Sequence, residues 1–355
     1  MTTTRGRDLA AREAKLEAVQ AKLTEAVSAM VTGDDWRRSL EFAATFRSRS
    51  FNNSMLIYVQ HYAAHQEGRV PEPTPTYVAG FKQWLTLDRH VIKGQRSYSI
   101  LAPVTARYAS PTPQNPASWH RLGRCEKPGQ GEAVRSRLIG LKPAYVWDIS
   151  QTDGEPIPET PRPSLLKGQA PNGLWDGLAD QIEANGYGLR LVSHATAIGG
   201  ANGLTDYVTR EVSVRMDMDD AAQVKTLAHE LGHVLLHRPD NADAAMHRGI
   251  AEVEAESVAL MVGAAHGLDT TTYTVPYVSS WASSVSGKTP VEVVQSTAER
   301  VRKAAVRILD TLDTRQVGNG TPPGLDREAV GRDRPGAAVE SAHSPSRTQV
   351  EVMGR

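Results

Sequence analysis

The stretch TLAHELGHVLLH, residues 226–237, decides how the second half of the chain is interpreted, because it contains the pattern H-E-x-x-H. On a helix, His229 and His233 lie four residues apart on one face, so their imidazoles can share one metal ion. Zinc lowers the pKa of a water molecule to about 7, and Glu230 is placed to accept its proton. The stretch therefore predicts a Zn²⁺ site with His229 and His233 as ligands, Glu230 as the catalytic base, and Gly232 as a point of close helix packing.

The third ligand is expected from a second helix, predicted over residues 249–265 and containing the run EVEAE. A catalytic zinc site uses three protein ligands and keeps one position open. Glu252 and Glu256 are four residues apart and share one helix face, whereas Glu254 points elsewhere. The rest of this helix is too apolar for a fully solvated acidic face, so each of the three carboxylates is a candidate ligand.

The order H-E-x-x-H followed by E-x-x-x-[DE] resembles the gluzincin metallopeptidases. That resemblance implies that Glu252 binds zinc and that Glu256 hydrogen-bonds the far ring nitrogen of a ligand histidine. ImmA/IrrE-like proteins have a similar E-x-E-A run, which keeps Glu254 as an alternative ligand. Glu256 itself is the other alternative.

Other residues near the motif carry weaker arguments. Tyr273 and Tyr277 are candidate donors to an oxyanion, although wall or core positions suit them better. The strand at residues 209–216 is either an edge strand that receives an extended peptide or an ordinary paired strand. Three further histidines are expected at the surface, namely His237, His247 and His266.

Charge is distributed unevenly along the 355 residues, although the formal net charge is zero. Residues 1–150 contain 21 Lys and Arg against 13 Asp and Glu, a net charge of 21 − 13 = +8. The remainder contains 19 basic and 27 acidic residues, a net charge of 19 − 27 = −8. The split predicts a basic N-terminal domain that meets a polyanion and an acidic C-terminal domain that does not.

The compartment is predicted from what the sequence lacks. Cys125 is the single cysteine, which rules out an internal disulfide and suits a reducing environment. The N-terminal residues contain no apolar run of signal-peptide length, and no window of about 18 apolar residues predicts a membrane span. A cytoplasmic protein with no membrane partner is expected.

The predicted fold class is α+β, with two domains. Residues 8–151 contain three amphipathic helices, the third capped by Asn52, Asn53 or Ser54, followed by a hairpin and a strand at 141–150. Between the hairpin strands, residues 109–135 are expected to form a variable loop. Residues 152–171 contain five prolines and predict an extended linker. Residues 172–314 are expected to form the zincin-like metallopeptidase domain, and residues 315–355 a disordered tail.

The N-terminal half is similar to the N-terminal domain of ArdC-like antirestriction proteins over residues 35–150. The resemblance rests on a helix running from Asn53 to Gln60, a GF-x-x-W segment at residues 80–84, and a V-x-K-G hairpin entering I-L-A-P at residues 91–103. It implies binding of single-stranded DNA and protection of incoming DNA from restriction. The lysine and arginine of the hairpin, Lys93 and Arg96, preserve basic character where the family usually has K-G-E-K.

The residues themselves agree with a single-strand binder, since basic and aromatic side chains are interleaved over residues 47–107. Lys82, Lys93 and Arg96 are the predicted phosphate contacts. Tyr77 and Tyr98 are the predicted exposed rings on which bases stack, whereas Phe81 and Trp84 are expected to pack in the core.

The leading hypothesis is thus a single-stranded-DNA-binding protein with a zinc-dependent peptidase domain that acts on a protein or peptide. Two alternatives remain open. One is a non-enzymatic protein that shields DNA and holds a structural zinc ion. The other is an ImmA-like regulatory protease that cleaves a specific repressor while its N-terminal domain tethers it to DNA.

Overall fold

A computed structural model describes residues 4–123, 125–157, 168–237, 248–271, 273, 278–283, 285 and 287–325. Two domains of mixed helix and sheet follow one another along the chain. Most of the proline-rich segment, His247, Tyr277 and residues 326–355 lie outside the described residues. Across the described ranges, no helix is both long enough and apolar enough to cross a membrane.

Three helices begin the N-terminal domain: α1 (Thr4–Ser28), α2 (Gly33–Thr45) and α3 (Phe51–Gln66). Thr32 and Asp35 form a capping box at the start of α2, which satisfies backbone donors that a helix end leaves free. Ser50, rather than one of the three predicted residues, caps α3, and its hydroxyl accepts from the backbone N–H of Asn53. The prediction was wrong because the Asn53 side chain is used elsewhere.

That use is at the edge of the N-terminal sheet. The Asn53 amide bonds both the N–H and the C=O of Leu101, and the Gln60 amide does the same at Ser99. The two amides therefore replace a neighbouring strand along this edge. This explains why an Asn and a Gln seven residues apart occur in the helix.

The sheet itself has the strand order β1-β5-β3-β4, and its long pair is an antiparallel hairpin. Its strands are β1 (Val78–Ala79), β3 (Tyr98–Ser110), β4 (His120–Arg121) and β5 (Ala133–Asp148), and a short helix α4 (Phe81–Leu85) follows β1. The predicted variable loop is partly wrong, because β5 already begins at Ala133. The two strands pair over thirteen positions, with a shift of register between Val104 and Thr105.

A second small sheet extends the N-terminal domain into the predicted linker. Strand β2 (Arg89–Val91) pairs with β6 (Thr152–Gly154), so residues 152–154 are paired strand and not extended linker. Arg89 is buried there and donates to the hydroxyl and carbonyl of Thr152. The side chain thus fastens the end of the domain.

The C-terminal domain has a three-stranded sheet and five helices among the described residues. Its elements are α5 (Leu174–Ala184), β7 (Gly188–Val192), β8 (Gly203–Asp206), β9 (Glu211–Arg215), α6 (Asp220–Leu236), α7 (Arg248–Ala265), α8 (Val278–Ala282) and α9 (Pro290–Thr311). The sheet order is β7-β9-β8, with β9 parallel to β7 and antiparallel to β8. Strand β9 is therefore central, and β8 is the edge strand that lies beside α6.

One hydrophobic core runs through both domains. Trp36 of α2 is fully buried, packs edge-on against Trp281 with ring centroids 5.1 Å apart, and donates from Nε1 to Ser257 Oγ at 2.9 Å. Ser257 belongs to α7, so α2 covers the back of the helix that carries the EVEAE run.

Residues 315–325, where composition predicts the start of a disordered tail, lie across both domains. The N–H of Val317 donates to Ala265 O at 2.7 Å, and the N–H of Val78 donates to Gly320 O at 3.0 Å. Gly320 has a φ of 81°, and a Cβ there would lie 2.5 Å from the Phe46 ring. Backbone hydrogen bonds and close packing hold this polar segment in place, although its composition alone predicts no ordered structure.

Candidate metal centre

The motif helix α6 and the acidic helix α7 pack closely because of one glycine. Asp219 caps α6 by accepting from the N–H of Ala222 at 2.8 Å. A Cβ at Gly232 would lie 3.1 Å from Ala255 Cα, so the predicted close contact is confirmed. This approach brings His229 and His233 of α6 opposite Glu252 of α7.

His229, His233 and Glu252 form a group that could hold a metal ion. His229 Nε2 and His233 Nε2 lie 3.1 Å apart, and Glu252 Oε2 lies 3.5 Å from the first and 3.7 Å from the second. Around a tetrahedral ion with ligands at about 2.0–2.1 Å, neighbouring ligand atoms are about 3.3 Å apart. The three observed separations bracket that value. Two imidazoles and a carboxylate also match the donor types of a catalytic zinc site.

Glu256 lies on the far side of the first histidine. Its Oε2 is 3.2 Å from His229 Nδ1, and its Oε1 is 2.9 Å from Lys225 Nζ. A proton on Nδ1 leaves the lone pair of Nε2 directed toward His233 and Glu252. The carboxylate therefore selects the ring form of His229 that can bind a metal.

Glu254 is buried and faces away from the group. Its Oε2 is 3.0 Å from His237 Nε2, and its Oε1 accepts from the Arg300 guanidinium, 2.7 Å from Nε. His237 Nδ1 is in turn 3.0 Å from His233 Nδ1. If Glu254 accepts from His237 Nε2–H, His237 Nδ1 can accept from His233 Nδ1–H, and His233 Nε2 is left free for a metal.

The expected surface positions of two other histidines are wrong. His237 is 8% exposed, and it continues the spacing of the motif by four residues. That i, i+4 repeat was the available signal for its place beside His233. His266 is also buried, between Val262 O and the Thr314 hydroxyl.

Glu230 is buried beneath the edge strand β8. The Thr205 hydroxyl donates to its Oε2 at 2.6 Å, and a Cβ at Gly203 would lie 2.6 Å from its Oε1. Burial raises the pKa of Glu230, against the opposing effects of Thr205 and the two motif imidazoles. A carboxylate with a raised pKa is better matched to proton transfer near neutral pH.

The charges of the group are strongly coupled. Burial disfavours the charged form of His229, yet its hydrogen bonds to Glu252 and Glu256 raise the pKa of His229 to about 9. The contacts with His229 and His233 hold the pKa of Glu252 well below its usual range. A metal ion would have to displace the proton from His229, so its binding should weaken as the pH falls below about 9.

A phenol that the sequence did not single out lies near the group. Tyr207 follows β8, and burial, followed by the effects of Tyr187, Glu230 and Glu252, raises its pKa far above the usual range. The phenol therefore keeps its proton and can donate it in a hydrogen bond. Tyr273 is instead a core residue, whose hydroxyl donates to Ala259 O at 3.3 Å.

Of the five predicted DNA-contact residues, three are exposed and two are buried. Lys82, Lys93 and Arg96 are all exposed. Tyr77 and Tyr98 are buried, 6% and 2% exposed, and the Tyr98 hydroxyl lies 3.0 Å from His61 Nδ1. The prediction that these two rings are exposed is wrong, because both rings are in the core, where they offer no free face for a base.

Other aromatic rings of the same domain are exposed. Phe81 is 48% exposed and Tyr145 is 43% exposed, whereas Trp84 is fully buried. Phe81 contacts Trp147 at a centroid distance of 6.1 Å, and Tyr145 lies two residues before Trp147 on β5, hence on the same face. We name Phe81, Tyr145 and Trp147 the aromatic platform; exposed Lys82 directly follows Phe81 in α4.

Comparison with known proteins gives two family matches. Residues 14–146 match the N-terminal domain of the anti-restriction factor ArdC, and residues 184–274 match an IrrE N-terminal-like domain of a peptidase family. The resemblance found in the sequence is confirmed: an ArdC-like N-terminal domain precedes an IrrE-like peptidase domain.

Individual relatives are distant. An uncharacterized protein of Bacillus anthracis is 22% identical over 320 residues, which cover 85% of this chain and 52% of that protein, so the chain spans about half the length of this relative. A metal-free crystal structure of the antirestriction ArdC protein from plasmid R388 has 18% identity and a TM-score of 0.43, covering 74% of this chain and 84% of that one. Its Mn(II)-bound structure has 18% identity and a TM-score of 0.41, covering 74% and 88%.

Proposed function

We propose that this chain binds single-stranded DNA through its N-terminal domain and hydrolyses a peptide bond with a zinc-dependent C-terminal domain. The observation that carries the peptidase half is the convergence of His229, His233 and Glu252 directly beside a buried Glu230. A purely structural zinc site has no use for that fourth residue, which makes the non-enzymatic alternative less favoured.

His229 and His233 would hold the zinc ion through Nε2, and Glu252 through one carboxylate oxygen. When bound, zinc supplies Lewis acidity and lowers the pKa of a water molecule. Glu230 would take the proton of the attacking water and pass it to the leaving amine. Its hydrogen bond from Thr205 fixes one carboxylate oxygen and leaves the other available.

Strand β8 would receive the peptide. It is an edge strand of the sheet, it runs beside Glu230, and its Leu204 is 46% exposed. An extended peptide can add main-chain hydrogen bonds to such an edge. The protonated phenol of Tyr207 would then donate to the oxyanion that forms at the attacked carbonyl.

The aromatic platform would bind the single strand. Exposed Phe81 and Tyr145 offer ring faces for bases, and Lys82 supplies a charge for the phosphates. Single-strand binders combine these two features, and each stacked base is worth about 1–3 kcal/mol. Protection of mobile DNA from restriction would be the biological use of this combination.

The variant Glu230→Gln tests the peptidase proposal. It keeps an acceptor for Thr205 and removes the base, so zinc content should stay at one ion per chain while peptide cleavage falls by about a hundredfold or more. Because burial disfavours the charged carboxylate, the thermal midpoint should not decrease. The readouts are metal analysis, cleavage of a peptide library and calorimetry, with exposed Glu183→Gln as the control.

The same variant separates the alternatives. Unchanged DNA protection by Glu230→Gln, with zinc retained, would favour a non-enzymatic shield. If the cleaved form of one protein is present in cells with the wild type and absent from cells with the variant, the chain is a regulatory protease that acts on a specific repressor. Absence of both stoichiometric zinc and salt-sensitive single-strand binding in the wild type would overturn the proposal as a whole.

A further inference from the structure

The outer part of the N-terminal hairpin, residues 104–142, forms an arm that the proposed function does not use. It comprises the ends of β3 and β5 together with β4. Residues 134–142 are exposed at every position. Since successive strand residues point to opposite faces, both faces of β5 meet solvent here. The arm therefore contributes little core to its own domain.

The arm is strongly basic. Residues 104–142 contain seven Lys and Arg against two Asp and Glu, a net charge of 7 − 2 = +5. The two acids, Glu126 and Glu132, accept from the backbone N–H groups of Gly123 and Gly129 at 2.7 Å each, so their carboxylates close local turns. Glu132 Oε1 also lies 3.9 Å from His120 Nδ1. Within the described part of the arm, neither carboxylate forms an ion pair with an arginine.

The strand register places three arginines on one face. Tyr108 of β3 is paired with Arg121 of β4 on one side and with Arg135 of β5 on the other, and Ala106 is paired with Arg137. Directly paired residues share a face of a sheet. Arg121, Arg135 and Arg137 therefore form one surface, which we name the arginine face. Over the described ranges, none of the three has a carboxylate ion pair.

We propose that the arginine face binds the phosphate backbone of double-stranded DNA. A guanidinium presents a planar fork of donors that suits phosphate oxygens. Ten residues of strand, 133–142, extend about 33 Å at about 3.3 Å each, close to the roughly 34 Å of one turn of duplex. A two-stranded ribbon is also narrow enough to follow the major groove.

Ring exposure favours duplex over single strand as the occupant of the arm. The exposed large apolar side chains of the arm are aliphatic, namely Val134, Leu138, Ile139 and Leu141. Its Trp119 ring is covered by the Arg135 guanidinium, 3.8 Å from the ring centroid. Unpaired bases need free aromatic faces, and those lie on the aromatic platform instead. Platform and arm together would suit a junction between single-stranded and duplex DNA.

A different role for the same charges is to protect an edge. Strand β5 pairs with β1 only at its end, at Trp147 and Asp148, so no other described strand pairs with its outer edge along the arm. Charged side chains on such an edge discourage pairing with a second chain. This role predicts self-association when the arginines are removed, and it predicts no effect on DNA.

The test uses the full chain and three probes: a single strand of about 20 nucleotides, a duplex of about two helical turns, and that duplex with a single-stranded tail. The arm variant is Arg135→Ala with Arg137→Ala. The platform variant is Phe81→Ala with Tyr145→Ala. The control is Lys303→Ala with Arg307→Ala, two exposed basic residues of α9. Fluorescence anisotropy is measured across a salt series, and light scattering reports the oligomeric state.

The arm variant should weaken duplex binding at least about tenfold and reduce the salt slope for duplex by about 2, with single-strand binding changed less than about twofold. The platform variant should show the opposite pattern, and the tailed duplex should be sensitive to both. The inference rests on nucleic-acid binding by the N-terminal domain. If the wild type binds duplex but no single strand, only the proposed role of the aromatic platform fails, and the arm proposal stands. Unchanged duplex affinity of the arm variant, or self-association without a change in affinity, would overturn the arm proposal.

Discussion

The metal centre and the aromatic platform differ in how firmly their side chains are held. Both ring nitrogens of His229 and of His233 have neighbours within 3.2 Å, and their far nitrogens face Glu256 and His237. Phe81 and Tyr145 are largely exposed, and among the described residues the only ring that Phe81 contacts is that of Trp147. Metal affinity depends on ligand side chains that their neighbours hold in position, whereas base stacking depends only on exposed ring faces. The two regions should therefore respond to substitution on different scales.

The largest effect is expected from the ligands themselves. His229→Ala or His233→Ala removes one of three donors, so stoichiometric zinc should be lost from the purified protein. Metal analysis by mass spectrometry checks this, with exposed His194→Ala of the same domain as the matched control. Full zinc occupancy in both ligand variants would contradict the assignment of the centre.

The next largest effect is expected from His237 and Glu254, which contact the metal ligand His233 directly and through His237, respectively. His237→Ala leaves His233 Nδ1 without its partner, so zinc affinity should fall by about 10–100-fold. Glu254→Gln should produce a smaller loss in the same direction, because it weakens the hold on His237. Competition with a zinc chelator measures both.

Buried His266→Ala is the matched control for this experiment, since His266 is hydrogen-bonded to Val262 and Thr314 away from the centre. It should lower the thermal midpoint and leave zinc affinity unchanged. Equal zinc affinities in His237→Ala and His266→Ala would show that the chain of contacts to Glu254 is structural only.

A smaller effect is expected on the platform. Phe81→Ala removes one ring, so affinity for an unstructured single strand should fall about tenfold. Leu85→Ala is the control, because it removes an exposed apolar side chain of the same helix without removing a ring. Equal losses in the two variants would assign the effect to helix α4 as a whole.

The smallest effect separates core from surface in the same domain. Tyr98→Phe deletes the hydroxyl that contacts His61, so the free energy of unfolding should fall by about 1 kcal/mol. Single-strand affinity should be unchanged, since the ring is buried. Chemical denaturation and anisotropy give the two values, and a loss of affinity at constant stability would restore Tyr98 as a contact residue.

The same contrast explains how far the sequence could be interpreted. Helical spacing placed His229, Glu230 and His233 on one helix, because the chemistry of a shared ion demands neighbouring positions on one face. The two-domain α+β plan also followed from pattern and resemblance. Spacing could not choose among Glu252, Glu254 and Glu256, since the choice depends on which face of α7 meets α6 and where Arg300 lies.

Exposure was harder to predict than chemistry. Tyr77, Tyr98 and Phe81 occur in similar apolar surroundings along the chain, and only the packing of α3 and α4 decides which ring is covered. His237 lay within the motif stretch but was assigned to the surface, because a helix end usually meets solvent. The buried Glu254 beneath it comes from a different helix, and no local pattern reveals that pairing.

The hydrogen bond between Trp36 and Ser257 has a consequence for protein engineering. The indole comes from the half that matches the ArdC domain, and the hydroxyl comes from the half that matches the peptidase domain. A peptidase fragment cut at the proline-rich segment would lack the Trp36 indole, which would leave a cavity beside Ser257 and Trp281 behind α7. Exchanging the N-terminal half for a foreign counterpart should therefore lower stability unless the new half also supplies an indole that fills this space and bonds Ser257.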